Sequence, residues 1–277
     1  MHTTEDLIRL ALGEDIGPGD ITTDNIVDPG ARGEATIIAK QDLVVAGLGV
    51  AETVFRILSD AVAFRPAYRD GDRIAAGSRV VDITGPLAAL LKGERTALNF
   101  LQRLSGIATQ ARAYVESVAG TGVKLVDTRK TTPGWRVLEK YAVRIGGAHN
   151  HRMGLYDGVL IKDNHIAVAG GIAKAVDAVR QAISHLVKIE VEASTLDEVQ
   201  AALDADADII MLDNMDLDQI RAAVRLIRGK ALVEISGGVT RDRLMVLAQT
   251  GVDLISIGAL THSAVAVDLS MNIRATP

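Results

Sequence analysis

Residues 188–214, KIEVEASTLDEVQAALDADADIIMLDN, decide the fold. Two short apolar runs that end in polar residues flank a stretch with helical spacing. Thr195, with Glu198 three residues on, reads as a capping box that starts the helix. Short apolar strands joined by a helix are parallel strands buried on both faces. The unit recurs in both directions. KLVDT (124–128) is followed by a helix over 135–145, and GVLIKD (158–163) by one over 168–184. KIEVEAS (188–194) precedes helix 196–204, and DIIMLDN (208–214) precedes helix 217–228, where Asp216 and Gln219 resemble a second capping box. ALVEISGG (231–238) precedes helix 241–250, and LISIGAL (254–260) closes the series. Six such strands predict a barrel or an incomplete barrel, with its chemistry at the C-terminal strand ends. Asp127, Arg129, Lys130, Lys162, Asp163, Glu190, Glu192, Asp213, Ser236 and Gly258 lie there.

The part before Gly122 reads differently. Residues 4–14 form an amphipathic helix capped by Thr3 or Thr4, and GPGDITT is a turn. EATIIAK (34–40) and RVVDITG (79–85) alternate like strands, VAETVFRIL (50–58) has helical spacing, and DGDRIAAGS (70–78) is a strand-turn pattern. This is a β-rich α+β layer. A helical region over 89–118 is expected to hold more than one helix, because Ser105-Gly106 can break it.

Composition narrows the function. The chain has 277 residues, 48% of them hydrophobic but only 3% aromatic, so its core is built from Ala, Val, Ile and Leu, as in layered α/β folds. A net charge of −5 argues against a nucleic-acid partner. The absence of cysteine excludes disulfides and thiolate metal sites and fits a cytoplasmic protein. The acidic start MHTTEDLIRLALGEDIG does not read as a signal peptide. No apolar run approaches ~18 residues, so no membrane span is expected.

Against the global charge, Lys124–His165 carries eight Lys/Arg and four Asp/Glu, with three of the six histidines, whereas Leu186–Asp218 carries ten Asp/Glu and one Lys. A cationic wall followed by an acidic one suits chemistry on phosphates and carboxylates that builds positive charge. Taken alone, Arg129 and Lys130 read first as a solvated loop pair. With Arg152, Lys162, His149 and His151 they make a site for two carboxylates, Arg as a planar fork and Lys as a point charge. Arg95 stands beside Glu94 and by itself reads as either a surface pair or a ligand. Glu190 and Glu192 alternate with Ile189 and Val191, so both face the interior. Glu192 and Asp213 are a carboxylate pair near a developing cation, or indirect holders of Mg²⁺ and ribose hydroxyls; the plain alternative is an ion pair with Lys162 or Lys188. Ser236-Gly237-Gly238 precedes a helix capped near Thr240, and Gly258 occupies the matching position after the last strand, together a phosphate clamp. His165 reads as a hydrogen bonder or a catalyst, and His262 has no clear partner. Trp135 staples a helix start, and His2 and His185 read as surface residues.

The stretches ERTALNFLQRLSGIAT (94–109), DTRKTTPG (127–134), HRMGLYDGVLIKDNH (151–165), KIEVEAS, IIMLDN, VEISGGV (233–239) and GALTHS (258–263), with EDIGPGDITT (14–23), resemble the quinolinate phosphoribosyltransferase family, also called nicotinate-nucleotide pyrophosphorylase (carboxylating). The resemblance implies an N-terminal α/β sandwich over 1–104, a C-terminal open α/β barrel over 105–265, and a tail over 266–277 that returns to the first domain. It implies transfer of phosphoribosyl from phosphoribosyl pyrophosphate to quinolinate with loss of CO2, a step of NAD biosynthesis, with Mg²⁺. It implies a homodimer in which Arg95 reaches the partner's site; assembly beyond the dimer stays open. Arg95, Arg129, Lys130, Arg152 and Lys162, with Thr128 and His151 adjacent, match the quinolinate set. Glu192 and Asp213 match the acidic residues near ribose and metal, and Ser236, Gly237, Gly238, Gly258 and Ala259 the 5′-phosphate loops. Lys130 and Lys162 are candidates to protonate the decarboxylated ring. A phosphoribosyltransferase acting on nicotinate, a Schiff-base aldolase using Lys162 and a non-catalytic anion-binding barrel are the competing readings.

Overall fold

The computed structural model describes residues 3–276, so the expectation for His2 lies outside the described residues. The chain forms two compact units. One comprises the described residues up to Arg112, Thr131–Gly147 and the described residues from Leu260; the other comprises Ala113–Lys130 and Ala148–Ala259.

The first unit begins with helix α1 (Thr4–Ile16), whose cap is Thr3: its hydroxyl accepts from the Asp6 N–H and Asp6 reaches back to the Thr3 N–H. Helix α2 (Thr23–Ile26) follows. Strands β1 (Arg32–Ala39), β2 (Leu43–Val44), β3 (Ala63–Pro66), β4 (Arg73–Ile74) and β5 (Arg79–Pro86) come next, with helix α3 (Leu48–Leu58) after β2. In β1 the alternate residues Gly33, Ala35, Ile37 and Ala39 are buried, the pattern of a sheet covered on one face. The segment 70–78 is structural, since β4 pairs with β2. Helix α4 (Leu87–Ser117) is one unbroken helix of 31 residues, not the broken region expected. Ser105 is fully buried and its hydroxyl accepts the Ala46 N–H at 3.0 Å, while Thr109 accepts the Val44 N–H at 2.8 Å. Gly106 is there for close approach: a Cβ would lie 2.1 Å from the Val265 carbonyl oxygen. Tertiary contact overrides the weak helix propensity of the Ser-Gly pair.

The second unit is the sheet read from the 188–214 pattern. Its strands are β6 (Lys124–Val126), β7 (Val159–Ile161), β8 (Ile189–Ala193), β9 (Ile209–Asp213), β10 (Leu232–Ser236) and β11 (Leu254–Ser256). They run parallel in the order β6-β11-β10-β9-β8-β7, with β6 and β7 as its two edges among the described residues, so the barrel is open. The edge of β6 is covered by the segment at His149, which bridges to Val126 and whose N–H reaches the Leu125 carbonyl at 2.8 Å. Edge cover of this kind blocks strand addition. After β6, helix α5 (Arg136–Ile145) belongs to the first unit, where Trp135 stacks on Phe100 with ring centroids 4.6 Å apart.

The helix expected over 168–184 is two: α6 (Asp163–Ala169) and α7 (Ile172–Ala182). Gly170 and Gly171, at φ +78° and +129°, end the first, because only glycine takes such backbone freely. Helices α8 (Leu196–Asp204) and α9 (Leu217–Ile227) start where the two capping boxes placed them, with Thr195/Glu198 and Asp216/Gln219 both formed. The helix expected over 241–250 is a 3₁₀ turn (Arg241–Arg243) followed by the short α10 (Leu244–Ala248). Helix α11 (Ala259–His262) and strand β12 (Leu269–Ala275) complete the chain, and β12 pairs antiparallel with β1 in the first unit's sheet, ordered β12-β1-β5-β3.

Candidate active site

The C-terminal ends of the parallel strands surround a cavity of about 640 Å³, within the range of small-molecule sites. Four cations line it: Arg129 and Lys130 after β6, Arg152 before β7 and Lys162 after it. Three carboxylates join them: Glu192 on β8, Asp213 on β9 and Glu234 on β10. Thr128, His151, Ser236, Gly237 and Gly238 also lie in the wall. Of the residues expected from the sequence, His149, Gly258 and Ala259 fall outside this lining, His149 facing the cavity at the opposite strand ends, and β11 contributes Ser256. Arg95 is exposed on α4, in the first unit.

Asp127 organises the cationic side. It is fully buried, and its carboxylate accepts the His151 N–H at 2.9 Å and the Asn150 side-chain amide at 2.5 Å. That pins the 149–152 segment against β6. Thr128 accepts the Lys130 N–H at 3.0 Å. The Arg152 guanidinium donates to the Gly158 carbonyl at 3.0 Å. Burial, and then the charge of Arg129, pull Arg152 below its usual basicity, while Glu190 and Asp157 oppose them. Neighbouring like charges in a partly dry pocket define a place for an anion.

On the acidic side, Lys162 lies 3.4 Å from Glu192, the ion pair that sequence left as the plain alternative. Burial first, with Asp213 adding to it and Lys162 opposing, raises the Glu192 carboxyl above the usual range. Asp213 ends β9 and accepts from the Asn214 amide at 2.7 Å. The Lys162 side chain is 48% exposed, which is not the desolvated setting that is one route to a Schiff-base lysine. His165 is structural: its Nδ1 accepts the Lys162 N–H at 3.0 Å at the start of α6. His185 and His262 are exposed, and His262 meets the Ser263 hydroxyl at 2.7 Å.

The Ser236-Gly237-Gly238 turn works differently from the expected helix terminus. A single 3₁₀ turn follows Thr240, too short to carry much macrodipole. The glycines themselves shape it. Gly237 and Gly238 have φ of +88° and +57°. A Cβ on Gly237 would sit 2.1 Å from Asn214 Oδ1. The turn is therefore bare backbone pressed against Asn214, at the strand end that pairs Ser236 with Asp213.

Beneath the rim lies a set the sequence reading only half anticipated. Glu190, expected to face the interior, is 3% exposed, and its Oε2 is 2.9 Å from His151 Nε2. The His151 Nδ1 accepts the Arg152 N–H at 2.8 Å, so Nε2 carries the proton and donates to Glu190. Glu234 was missed. It is 1% exposed, 3.8 Å from the same Nε2, too far for a hydrogen bond. Burial, and then the charge of Glu190, push its carboxyl up to about 7. The signal was available: Glu234 alternates with apolar Val233 and Ile235 as Glu190 does with Ile189 and Val191. The ligand atoms of His151, Glu190 and Glu234 lie within 4.8 Å of one another, close enough to share an ion or a proton.

Comparison with known proteins identifies the family. The family model described as "Quinolinate phosphoribosyl transferase, N-terminal domain" matches residues 20–105, and "Quinolinate phosphoribosyl transferase, C-terminal domain" matches residues 107–272. A "Probable nicotinate-nucleotide pyrophosphorylase [carboxylating]" of Bacillus subtilis is 46% identical over 260 residues, covering 94% of this chain and 90% of that protein. A protein of the same description from Synechocystis is 48% identical over 265 residues, covering 95% and 90%. The crystal structure of NadC from Streptococcus pyogenes superimposes with a TM-score of 0.95 at 41% identity, covering 99% of this chain and 97% of that one. Matched end to end in sequence and in fold, the chain belongs to the quinolinate phosphoribosyltransferase family.

Proposed function

We propose that this protein transfers the phosphoribosyl group of phosphoribosyl pyrophosphate to quinolinate, releasing pyrophosphate and CO2 and giving nicotinate mononucleotide. The observation that carries the reading is one cavity in which Arg129, Lys130, Arg152 and Lys162 face Glu192 and Asp213, with a bare glycine turn at its edge. The cations suit the two carboxylates of quinolinate, and the glycine turn suits the 5′-phosphate. Gly258, Ala259 and Arg95, outside the cavity wall, enter the proposal through the family motifs: the first two on the phosphate side, Arg95 in the partner's site of a homodimer. That dimer and a cytoplasmic location complete the proposal.

The chemistry follows from the charges. The ring nitrogen attacks the anomeric carbon as the bond to pyrophosphate breaks, so no side-chain nucleophile is needed. Glu192 and Asp213 stabilise the oxocarbenium character at the ribose. The new pyridinium draws the electron pair left at C2 as CO2 departs, and a proton fills that position. Lys130 and Lys162, whose side chains line the cavity, are the candidate donors. Glu192 and Asp213 also fit Mg²⁺: they are hard oxygen donors, and burial, with the charge of Asp213 adding to it, keeps Glu192 above its usual range. They would hold the ion through water, and it would neutralise the leaving pyrophosphate.

The test is an assay with quinolinate, phosphoribosyl pyrophosphate and Mg²⁺ that follows nicotinate mononucleotide and CO2, with nicotinate in a parallel reaction. Product and CO2 from quinolinate alone is the expected result. Turnover of nicotinate instead would keep the fold and replace the function.

A further inference from the structure

We propose that Glu234, sharing the barrel floor with Glu190 and His151, takes up a proton as quinolinate binds. The dicarboxylate then meets one buried negative charge beneath it instead of two. The proposal rests on quinolinate being the substrate.

Three observations carry it. First, the floor is short of one hydrogen. Glu190 Oε1 and Glu234 Oε1 are buried without a hydrogen-bond partner among the described residues. Two acceptors left bare in the same dry space are costly, and one shared proton supplies the missing donor. A metal ion fits less well. His151 gives Nδ1 to the Arg152 N–H and uses Nε2–H on Glu190, whereas a ligating imidazole needs a bare nitrogen.

Second, Glu234 belongs to the substrate cavity and to a second one. It lines the 640 Å³ space at the C-terminal strand ends and a cavity of about 450 Å³ reached by Lys124 and Lys188 at the opposite strand ends. His151 and Arg152 are the other side chains common to both. The floor is therefore a partition, and a proton can reach it from below while substrate fills the space above.

Third, the surroundings set the sign. Burial comes first in raising the Glu234 carboxyl, Glu190 on β8 second; His151 and the Ser256 hydroxyl on β11 oppose them. Met211, opposite on β9, is uncharged. Of the charged groups in the upper cavity, Glu192 and Asp213 add negative potential and Arg129, Lys130, Arg152 and Lys162 positive. In the lower one Lys124 and Lys188 stand against Asp157, with His149 beside them. Free Glu234 is thus poised near 7. Two carboxylates arriving above it consume the cationic potential and raise it further. The floor becomes protonated where the empty protein had begun to ionise, and at higher pH binding weakens by up to about tenfold per pH unit.

The experiment is calorimetric titration of the wild-type protein with quinolinate at pH 7.5, in two buffers of different ionisation enthalpy, repeated with Glu234→Gln. The expected result is net proton uptake by the wild type that the variant loses. In steady state, the wild-type KM for quinolinate should climb between pH 7 and 9 more steeply than that of the variant, with the KM for phosphoribosyl pyrophosphate following the same course in both. Binding heat with no buffer dependence, or equal uptake in both proteins, overturns the proposal while leaving the function intact. No binding of quinolinate overturns the proposal and the function together. One equivalent of a divalent metal in the purified protein, lost in Glu234→Gln, also overturns it by making the floor a metal site. Should the variant fail to fold, infrared difference spectra of the wild type decide: a new protonated-carboxyl band on quinolinate binding is expected, and its absence overturns the proposal.

Discussion

Glu190 and Glu192 occupy the same face of β8, two residues apart, and meet different physics. Glu192 is at the rim, where its side chain is 13% exposed and pairs with Lys162. Glu190 is at the floor, where it is buried against His151 and Glu234. One pleat repeat along the strand separates a carboxylate at the cavity rim, paired with a lysine, from one buried beside a histidine and a second carboxylate. The comparison frames the two proposals: rim residues set affinity, and floor residues set the pH range over which it lasts. It can be broken by substitutions on each level.

The largest effect is expected from Arg95→Ala, which should abolish turnover. Mixing it with Lys162→Ala protein should restore part of the activity through hybrid dimers; no recovery in the mixture would argue against a shared site. Next, Arg129→Ala and Lys162→Ala should each raise the quinolinate KM by roughly 2–4 kcal/mol of lost pairing, with melting temperatures close to wild type. Near-normal kinetics in either variant would remove it from the rim.

The floor should respond the other way, through stability. The Glu234 carboxyl rises from 4.5 to about 7 on folding. A raised carboxyl adds stability that is full below its unfolded value and lost as pH climbs through its folded one. Wild-type stability should therefore decline between pH 4.5 and 7, by at most roughly 3–4 kcal/mol at ~1.4 kcal/mol per unit. Glu234→Gln should flatten that decline. Denaturant melts at pH 5 and pH 8 measure it, and the same slope in both proteins would contradict the floor described above. The smallest effect belongs to the turn. Gly237→Ala must adopt φ of +88° and displace Asn214, a strain of about 1–3 kcal/mol. It should weaken phosphoribosyl pyrophosphate more than quinolinate, and equal losses for both substrates would take the turn out of phosphate binding.

Much of this was legible in the chain, and unevenly. The strand-helix rhythm from 124 to 260 pointed to a barrel or an incomplete one, since short apolar runs and capping boxes at Thr195 and Asp216 are local signals, and the strand pairing decided that it is open. The rim cations were legible because Lys and Arg gathered against a net charge of −5 stand out. Helix continuity was not: whether Ser105-Gly106 breaks α4 depends on Ala46 and Val265, distant in sequence. Conversely, the break at Gly170-Gly171 is a local signal, since paired glycines leave the helix at positive φ.

What the sequence by itself determined is the six parallel strands, their order along the chain and the family, because apolar runs, caps and motif spacing are properties of neighbours along the chain. Which interior carboxylates meet is a matter of register. The pairing of β8, β9 and β10 sets Glu190 and Glu234 on neighbouring levels, and Asp127 holds His151 over them. Only the tertiary structure decided that, because the desolvation that separates Glu234 from an ordinary glutamate exists only once those strands have closed around it.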